Sequence, residues 1–148
     1  MSGGAARAWV DGAARGNPGE AGFGAILEHP GGREEIGGYL GRTTNNVAEY
    51  VALVALLGRA AALGLGALEI ASDSELVVRQ LAGRYKVRAP HLQRLFRAVQ
   101  SLRAEFPRLH LRHVPREENR AADRLANQAI DERWPLPPWL DRTLLEEA

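Results

Sequence analysis

Apolar and polar residues alternate through Ala6-Arg-Ala-Trp-Val-Asp11, the period of a half-buried strand, and a turn-rich run follows from Gly12 to Gly19. Ala21 to Glu28 reads as a second strand, His29-Pro-Gly-Gly32 as a turn, and Arg33 to Leu40 as a third strand. Short connections between three strands predict an antiparallel meander. At Asn45 the pattern changes to a long apolar helix that holds to Leu63, with Gly64 as its stop signal. Ala67 to Ala71 is a short apolar strand, and Ser72 with Glu75 has capping-box spacing for a helix reaching about Ala82. Pro90 opens another helix, His91 to Phe106, with Leu92, Leu95, Phe96, Val99 and Leu102 at helical spacing. Leu109 to Val114 is a last strand, and Asn119 to Asp131 a last helix with Ala122, Leu125, Ala126, Ala129 and Ile130 on one side. The order β-β-β-α-β-α-α-β-α predicts an α/β fold. It would be a mixed five-stranded sheet, three antiparallel strands plus two parallel, flanked by helices on both faces.

Composition narrows the chemistry. At 148 residues the chain fits one domain with an ordinary core, here placed at 1–132, followed by a Pro/Trp-containing tail at 133–148. The tail segment Trp134-Pro-Leu-Pro-Pro-Trp-Leu140 is incompatible with regular helix, leaving either two tryptophans packed on the body or a hook for a partner. With no cysteine, disulfides, thiolate catalysis and zinc–cysteine sites are excluded. No run approaches the roughly 18 apolar residues of a membrane span, and the first residues lack a signal-peptide core. The expectation is a cytoplasmic protein without a membrane partner, and a monomer.

The net charge is only +1, but its distribution is uneven. Leu76 to Ala104 contains no Asp or Glu and seven cations, Arg79, Arg84, Lys86, Arg88, Arg94, Arg97 and Arg103, so the remainder carries −6. Such segregation fits a phosphate-binding face beside an acidic site, as well as a solvated helix face.

Four carboxylates occupy odd positions. Asp11 ends the first strand, Glu49 sits among Val47, Ala48, Tyr50, Val51 and Leu53, Asp73 follows the fourth strand, and Asp123 lies beside Ala121, Ala122 and Leu125. Each has an ordinary reading as a turn, cap or exposed helix acid. Together they suggest convergence, because two strand ends of one sheet and two helices packed on it can meet. Clustered carboxylates repel unless protonated or bound to a cation. Oxygen-only ligation favours a hard ion, Mg2+ or Mn2+, and two such ions roughly 4 Å apart would clamp a phosphodiester for in-line displacement.

These residues resemble type 1 ribonuclease H, in its form lacking the basic handle. The resemblance is carried by Asp11-Gly12 with Gly16-Asn17-Pro18-Gly19 and Gly22-Phe23-Gly24-Ala25, by Thr43-Thr44-Asn45-Asn46 with Glu49, by Asp73-Ser74 with Val77 and Arg79-Gln80, and by Asn119-Arg-Ala-Ala-Asp123. It spans about Arg7 to Ile130, with order and spacing intact. The resemblance implies a ribonuclease H-like fold. The implied activity is endonucleolytic hydrolysis of the RNA strand of RNA–DNA hybrids, leaving 3′-hydroxyl and 5′-phosphate ends. It implies that Asp11, Glu49, Asp73 and Asp123 are catalytic and hold two Mg2+, with Mn2+ as an alternative. The Gly12 backbone, Asn17, Asn45 and Glu49 match positions that read the RNA 2′-hydroxyl, while Thr44 and Asn46 match positions near a DNA phosphate. His113 has the spacing of a mobile histidine that helps product leave, and is equally an ordinary strand residue between Leu111 and Val114.

The chain departs from the family pattern in places. Gly83-Arg-Tyr-Lys-Val-Arg-Ala-Pro90 replaces the basic protrusion with a shorter connection, so Arg79, Arg84, Lys86 and Arg88 are expected to supply the grip on substrate. Glu75 stands where some members have an amide; capping the helix and repelling the RNA are both open to it. The alternatives to hybrid hydrolysis are a ribonuclease of broader taste on the same fold and a silent module that binds hybrid or double-stranded RNA.

Overall fold

The computed structural model describes residues 5–146. Five strands, β1 (Ala5–Gly16), β2 (Gly19–His29), β3 (Gly32–Thr43), β4 (Ala67–Ser72) and β5 (Arg108–His113), form one sheet in the order β3-β2-β1-β4-β5. The β1–β2 and β2–β3 pairs are antiparallel, and β1–β4 and β4–β5 are parallel. Four α-helices connect or follow them: α1 (Asn45–Ala62), α2 (Glu75–Leu81), α3 (Pro90–Arg103) and α4 (Arg120–Asp131). The mixed sheet with helices on both faces is the architecture expected from the alternation of patterns.

Period-two alternation sorts the sheet into two faces. Ala6, Ala8 and Val10 of β1 with Phe23, Ala25 and Leu27 of β2 join the main core, which α1 and the Leu92, Leu95 and Val99 side of α3 complete. Helix α1 is apolar nearly all round because it is covered nearly all round; Tyr50, Val51, Ala52, Leu53, Leu56 and Leu57 are all buried. The opposite face carries glycines, Gly22 and Gly24, against which α4 lays Ala122, Leu125 and Ala126. Small residues on both sides allow a close approach.

Several boundaries differ from the pattern-based expectation. Strand β1 does not end at Asp11; it continues to Gly16, and only Asn17–Pro18 forms the turn into β2. Pairing with β2 persists to Gly16↔Gly19 and carries extended backbone through a stretch of turn-like composition. What stops near Asp11 is the parallel partner, whose ladder ends at Val10↔Ser72. Strand β3 likewise runs past Leu40 to Thr43, delivering the chain directly to Thr44 at the start of α1. The cap of α2 is Ser74, whose hydroxyl oxygen accepts from the Val77 amide, and not Ser72. Ser72 Oγ instead accepts from the Ser74 amide at 3.1 Å. Helix α3 ends at Arg103, three residues before Phe106.

The tail packs on the body. The Tyr39 amide, on edge strand β3, donates to the Trp134 carbonyl at 2.9 Å. Trp139 Nε1 donates to the Ala55 carbonyl at 2.8 Å, and Arg59 lies 6.0 Å from its ring centroid. Farther along, Arg94 donates to the carbonyls of Thr143 and Glu146. The tail thus covers part of an exposed sheet edge and ties it to α1 and α3.

Candidate active site

Two close backbone approaches build the site. A Cβ on Gly12 would lie 2.4 Å from the Glu49 amide nitrogen, so only glycine lets β1 and α1 meet here and sets Glu49 beside Asp11. On the other face, Gly24 is the cross-strand partner of Asp11, and a Cβ there would lie 2.7 Å from both the Ala122 carbonyl and the Ala126 amide. That contact brings α4, and Asp123 with it, to the same point on β1. Asn119, buried before α4, fixes the helix start by donating to the Val10 carbonyl at 2.8 Å.

Asp11, Glu49 and Asp73 each offer a carboxylate oxygen within 4.8 Å of the others. Asp123 stands outside that trio but near enough for its charge to raise the Asp11 carboxyl. All four sequence-nominated acids therefore converge, from β1, α1, the end of β4 and α4. Asp11 and Glu49 are 6% and 7% exposed, which makes their ionisation costly.

Burial, first, and then the charges of Asp73 and Asp123 push the Asp11 carboxyl up to about 9. Burial raises Glu49 to about 7, opposed by a hydrogen bond from Ser74 and reinforced by Asp73. Glu49 Oε1 is buried without a hydrogen-bond partner among the described residues. An orphaned carboxylate oxygen within a cluster of acids that resist ionising is what an oxygen-ligated divalent cation satisfies, so the donor set fits a hard ion.

This cluster gives stability a definite dependence on pH in the metal-free protein. Asp11 binds its proton more tightly folded than at its unfolded value of 3.8. Its contribution is therefore fully present below about pH 4 and is lost as pH rises toward 9. Asp11→Asn, which cannot ionise, should raise the metal-free Tm at pH 8, by roughly 2–4 °C for each kcal/mol relieved, and leave it unchanged near pH 4. Scanning calorimetry in a chelator reads this directly, and saturating Mg2+ should narrow the difference at pH 8.

Of the residues expected to contact substrate, Gly12 abuts Glu49, and Thr44, Asn45 and Asn46 lie at the start of the helix that carries Glu49. Thr44 caps α1 through the Val47 amide at 3.2 Å, and Asn17 Oδ1 accepts from the Asn45 amide at 3.1 Å. The β1–β2 turn is thereby tied to the start of α1, where Asn45 and Asn46 are half-buried. Gly12 is buried and acts first as a packing position. His113 ends β5 opposite Ser72 and is exposed, near Glu75. Glu75 neither caps α2 nor stands alone; it pairs with Arg79 at 2.6 Å, and Arg79 also lies over the Tyr85 ring at 5.7 Å. Arg79 is thus held within the chain, whereas Arg84, Lys86 and Arg88 are exposed on the connection between α2 and α3 and make no ion pair among the described residues.

Ser74 and Asn119 are structural partners of the site that pattern reading did not assign. Ser74 serves Glu49 and the α2 cap with one hydroxyl, and its position directly after Asp73 was the available signal. Asn119 stood out only as the first residue of the Asp123 motif. Tyr50 and Gln80 form a further buried tie, hydroxyl to amide oxygen at 2.7 Å, between α1 and α2.

A family model described as reverse transcriptase-like matches residues 9–129. A bifunctional protein of Mycobacterium tuberculosis is 46% identical over 125 residues, which cover 82% of this chain and 34% of that protein. The chain thus spans about a third of the length of this mycobacterial relative. The crystal structure of RNase H1 from Halobacterium salinarum superposes with a TM-score of 0.81 at 43% identity, covering 87% of this chain and 99% of that one. LC11-RNase H1, isolated from compost and solved in complex with an RNA/DNA hybrid, gives a TM-score of 0.79 at 42% identity, covering 86% of this chain and 97% of that one. The sheet order and the acids converging on β1 define a ribonuclease H-like domain. Within that class, the chain belongs to the type 1 ribonuclease H family. Among the described residues, no helix is long and apolar enough to cross a membrane.

Proposed function

We propose that the chain is an endoribonuclease that hydrolyses the RNA strand of RNA–DNA hybrids. The observation that carries this reading is the convergence of Asp11, Glu49 and Asp73 within 4.8 Å, with Asp123 against Asp11 and one Glu49 oxygen buried and unpartnered. Asp11, Glu49, Asp73 and Asp123 would hold two divalent cations, Mg2+ by the hardness of the donors, with Mn2+ able to substitute. Bound there, the ions supply an acidified water and neutralise charge on the leaving oxygen. A hydrogen bond from Ser74 favours the ionised form of Glu49 against its burial, and Asn119 ties the start of α4 to β1.

Hydrolysis attacks phosphorus in line and breaks its bond to the 3′-oxygen, leaving 3′-hydroxyl and 5′-phosphate ends. Recognition of RNA rests on its 2′-hydroxyl, the group DNA lacks, read by Asn17, Asn45, Glu49 and the Gly12 backbone. The Asn17–Asn45 hydrogen bond supports this by fixing two of those readers against each other. In this reading Thr44 and Asn46 grip the DNA strand, and Arg84, Lys86 and Arg88 add sequence-independent attraction. That RNase H1 of similar fold has been solved on an RNA/DNA hybrid adds support for the substrate class.

Labelled hybrid, duplex RNA and duplex DNA, each incubated with Mg2+ and wild-type or Asp73→Asn protein, test the proposal. Cleavage of the RNA strand in hybrid alone, lost in Asp73→Asn, is the expected result. Equal cutting of duplex RNA would remove the specificity, and binding without cutting would remove the catalysis.

A further inference from the structure

A groove with Asp123 in its wall runs outward from the carboxylate cluster, and its other lining residues have no part in the site described so far. It is open, holds about 680 Å3, and is walled by α4 and the short 3-10 turn before it. Arg116 in that turn and Arg120 and Arg124 on α4 line it, all three exposed. Arg120 and Arg124 are four residues apart and so share one helix face.

Among the described residues these three arginines have no carboxylate partner, whereas six others do: Arg15, Arg33, Arg59, Arg79, Arg112 and Arg133. Among the described residues, Arg116, Arg120 and Arg124 make neither ion pair nor side-chain hydrogen bond. The groove's own acids do not compensate for them. Asp131 is paired with Arg15 from the β1–β2 hairpin, which leaves Glu117 and Asp123, itself a member of the carboxylate cluster, against three guanidinium groups. Like charges held side by side without internal partners suit an external polyanion, and guanidinium groups match phosphate geometry. The groove borders the carboxylates, on the sheet face away from α1 and α3, and thus apart from the cationic segment that ends in α3.

We propose that Arg116, Arg120 and Arg124 form a second phosphate-binding face that grips the RNA strand next to the phosphate being cut. The proposal rests on the hydrolysis reading for its choice of strand, since the groove borders the acids that act on RNA. With the Leu76–Ala104 cations, it would hold the substrate from two sides of the site.

The test uses an Arg120→Ala/Arg124→Ala double variant and its Arg120→Lys/Arg124→Lys counterpart. Affinity for hybrid is followed by fluorescence anisotropy across salt concentrations, in the Asp73→Asn background to prevent cutting. Each phosphate contact contributes about 0.9 to the slope of log affinity against log salt, so the alanine pair should make the slope shallower by about two while the lysine pair retains it. In the cleaving protein the alanine pair should raise KM several-fold and leave kcat near wild type. Hybrids with one strand shortened beyond the cut locate the contact. Shortening the RNA should erase the difference between wild type and variant, and shortening the DNA should preserve it. An unchanged salt slope overturns the proposal, as does a difference that disappears only when the DNA is shortened. If wild-type protein binds hybrid without cutting it, the hydrolysis reading fails, and the salt slope still decides whether this face binds phosphate.

Discussion

Glu49→Gln is expected to reduce hybrid cleavage by at least roughly 10³-fold while leaving the protein folded, the scale of loss when a residue acting as part of a catalytic unit is removed. The substitution keeps the size of the side chain and removes its charge, so it isolates electrostatics from packing. Glu49 is buried, and burial already resists its ionisation, with a pKa of about 7. A neutral amide therefore costs the fold little, and above pH 7 the metal-free variant should melt no lower than wild type. Steady-state cleavage with a melting curve on the same preparation checks both halves. A variant that unfolds would assign Glu49 to structure.

Gly12→Ala should damage fold and activity together. The added methyl would sit 2.4 Å from the Glu49 nitrogen and 2.5 Å from the Ala48 carbonyl carbon, backbone that cannot swing aside. Overpacking of this kind costs about 1–3 kcal/mol or more. For a domain of this size, that lowers Tm by roughly 2–4 °C per kcal/mol. Moving α1 away from β1 also withdraws Glu49 from Asp11, and a displacement near 1 Å can cost roughly 100-fold in rate. Gly64→Ala is the control: its φ is +72 and nothing lies within 4 Å of where the added methyl would sit, so it should cost roughly 1–2 kcal/mol of left-handed strain and leave turnover intact. Thermal denaturation and kcat of both variants separate a close contact from backbone strain.

The four acids were legible because each broke its local pattern, a charge within an apolar helix or at the end of an apolar strand. Pattern also revealed the sheet, since the switch from alternation to helical spacing at Asn45 matches the true boundary. It failed where partners decide. Gly12 to Gly16 has loop composition, yet β2 hydrogen-bonds it into strand, and no local signal carries that information. Ser72 and Ser74 compete for one helix start, and the choice is made by Ser72 turning its hydroxyl to the Ser74 amide. Charge pattern likewise gives no sign that Arg79 pairs with Glu75 and lies over Tyr85 once α2 forms. Nothing local shows that Gly12 and Gly24 let α1 and α4 approach the sheet, because the atoms they make room for lie far along the chain.

The central claim is that the converging acids cut RNA held against DNA. It is tested most directly by following a hybrid labelled on its RNA strand with wild-type and Asp73→Asn protein, in Mg2+ and in chelator. Fragments bearing 3′-hydroxyl and 5′-phosphate ends should appear only with wild-type protein and Mg2+. A wild-type protein that binds the hybrid without cutting it, or an Asp73→Asn variant that cuts as fast as wild type, would contradict the account.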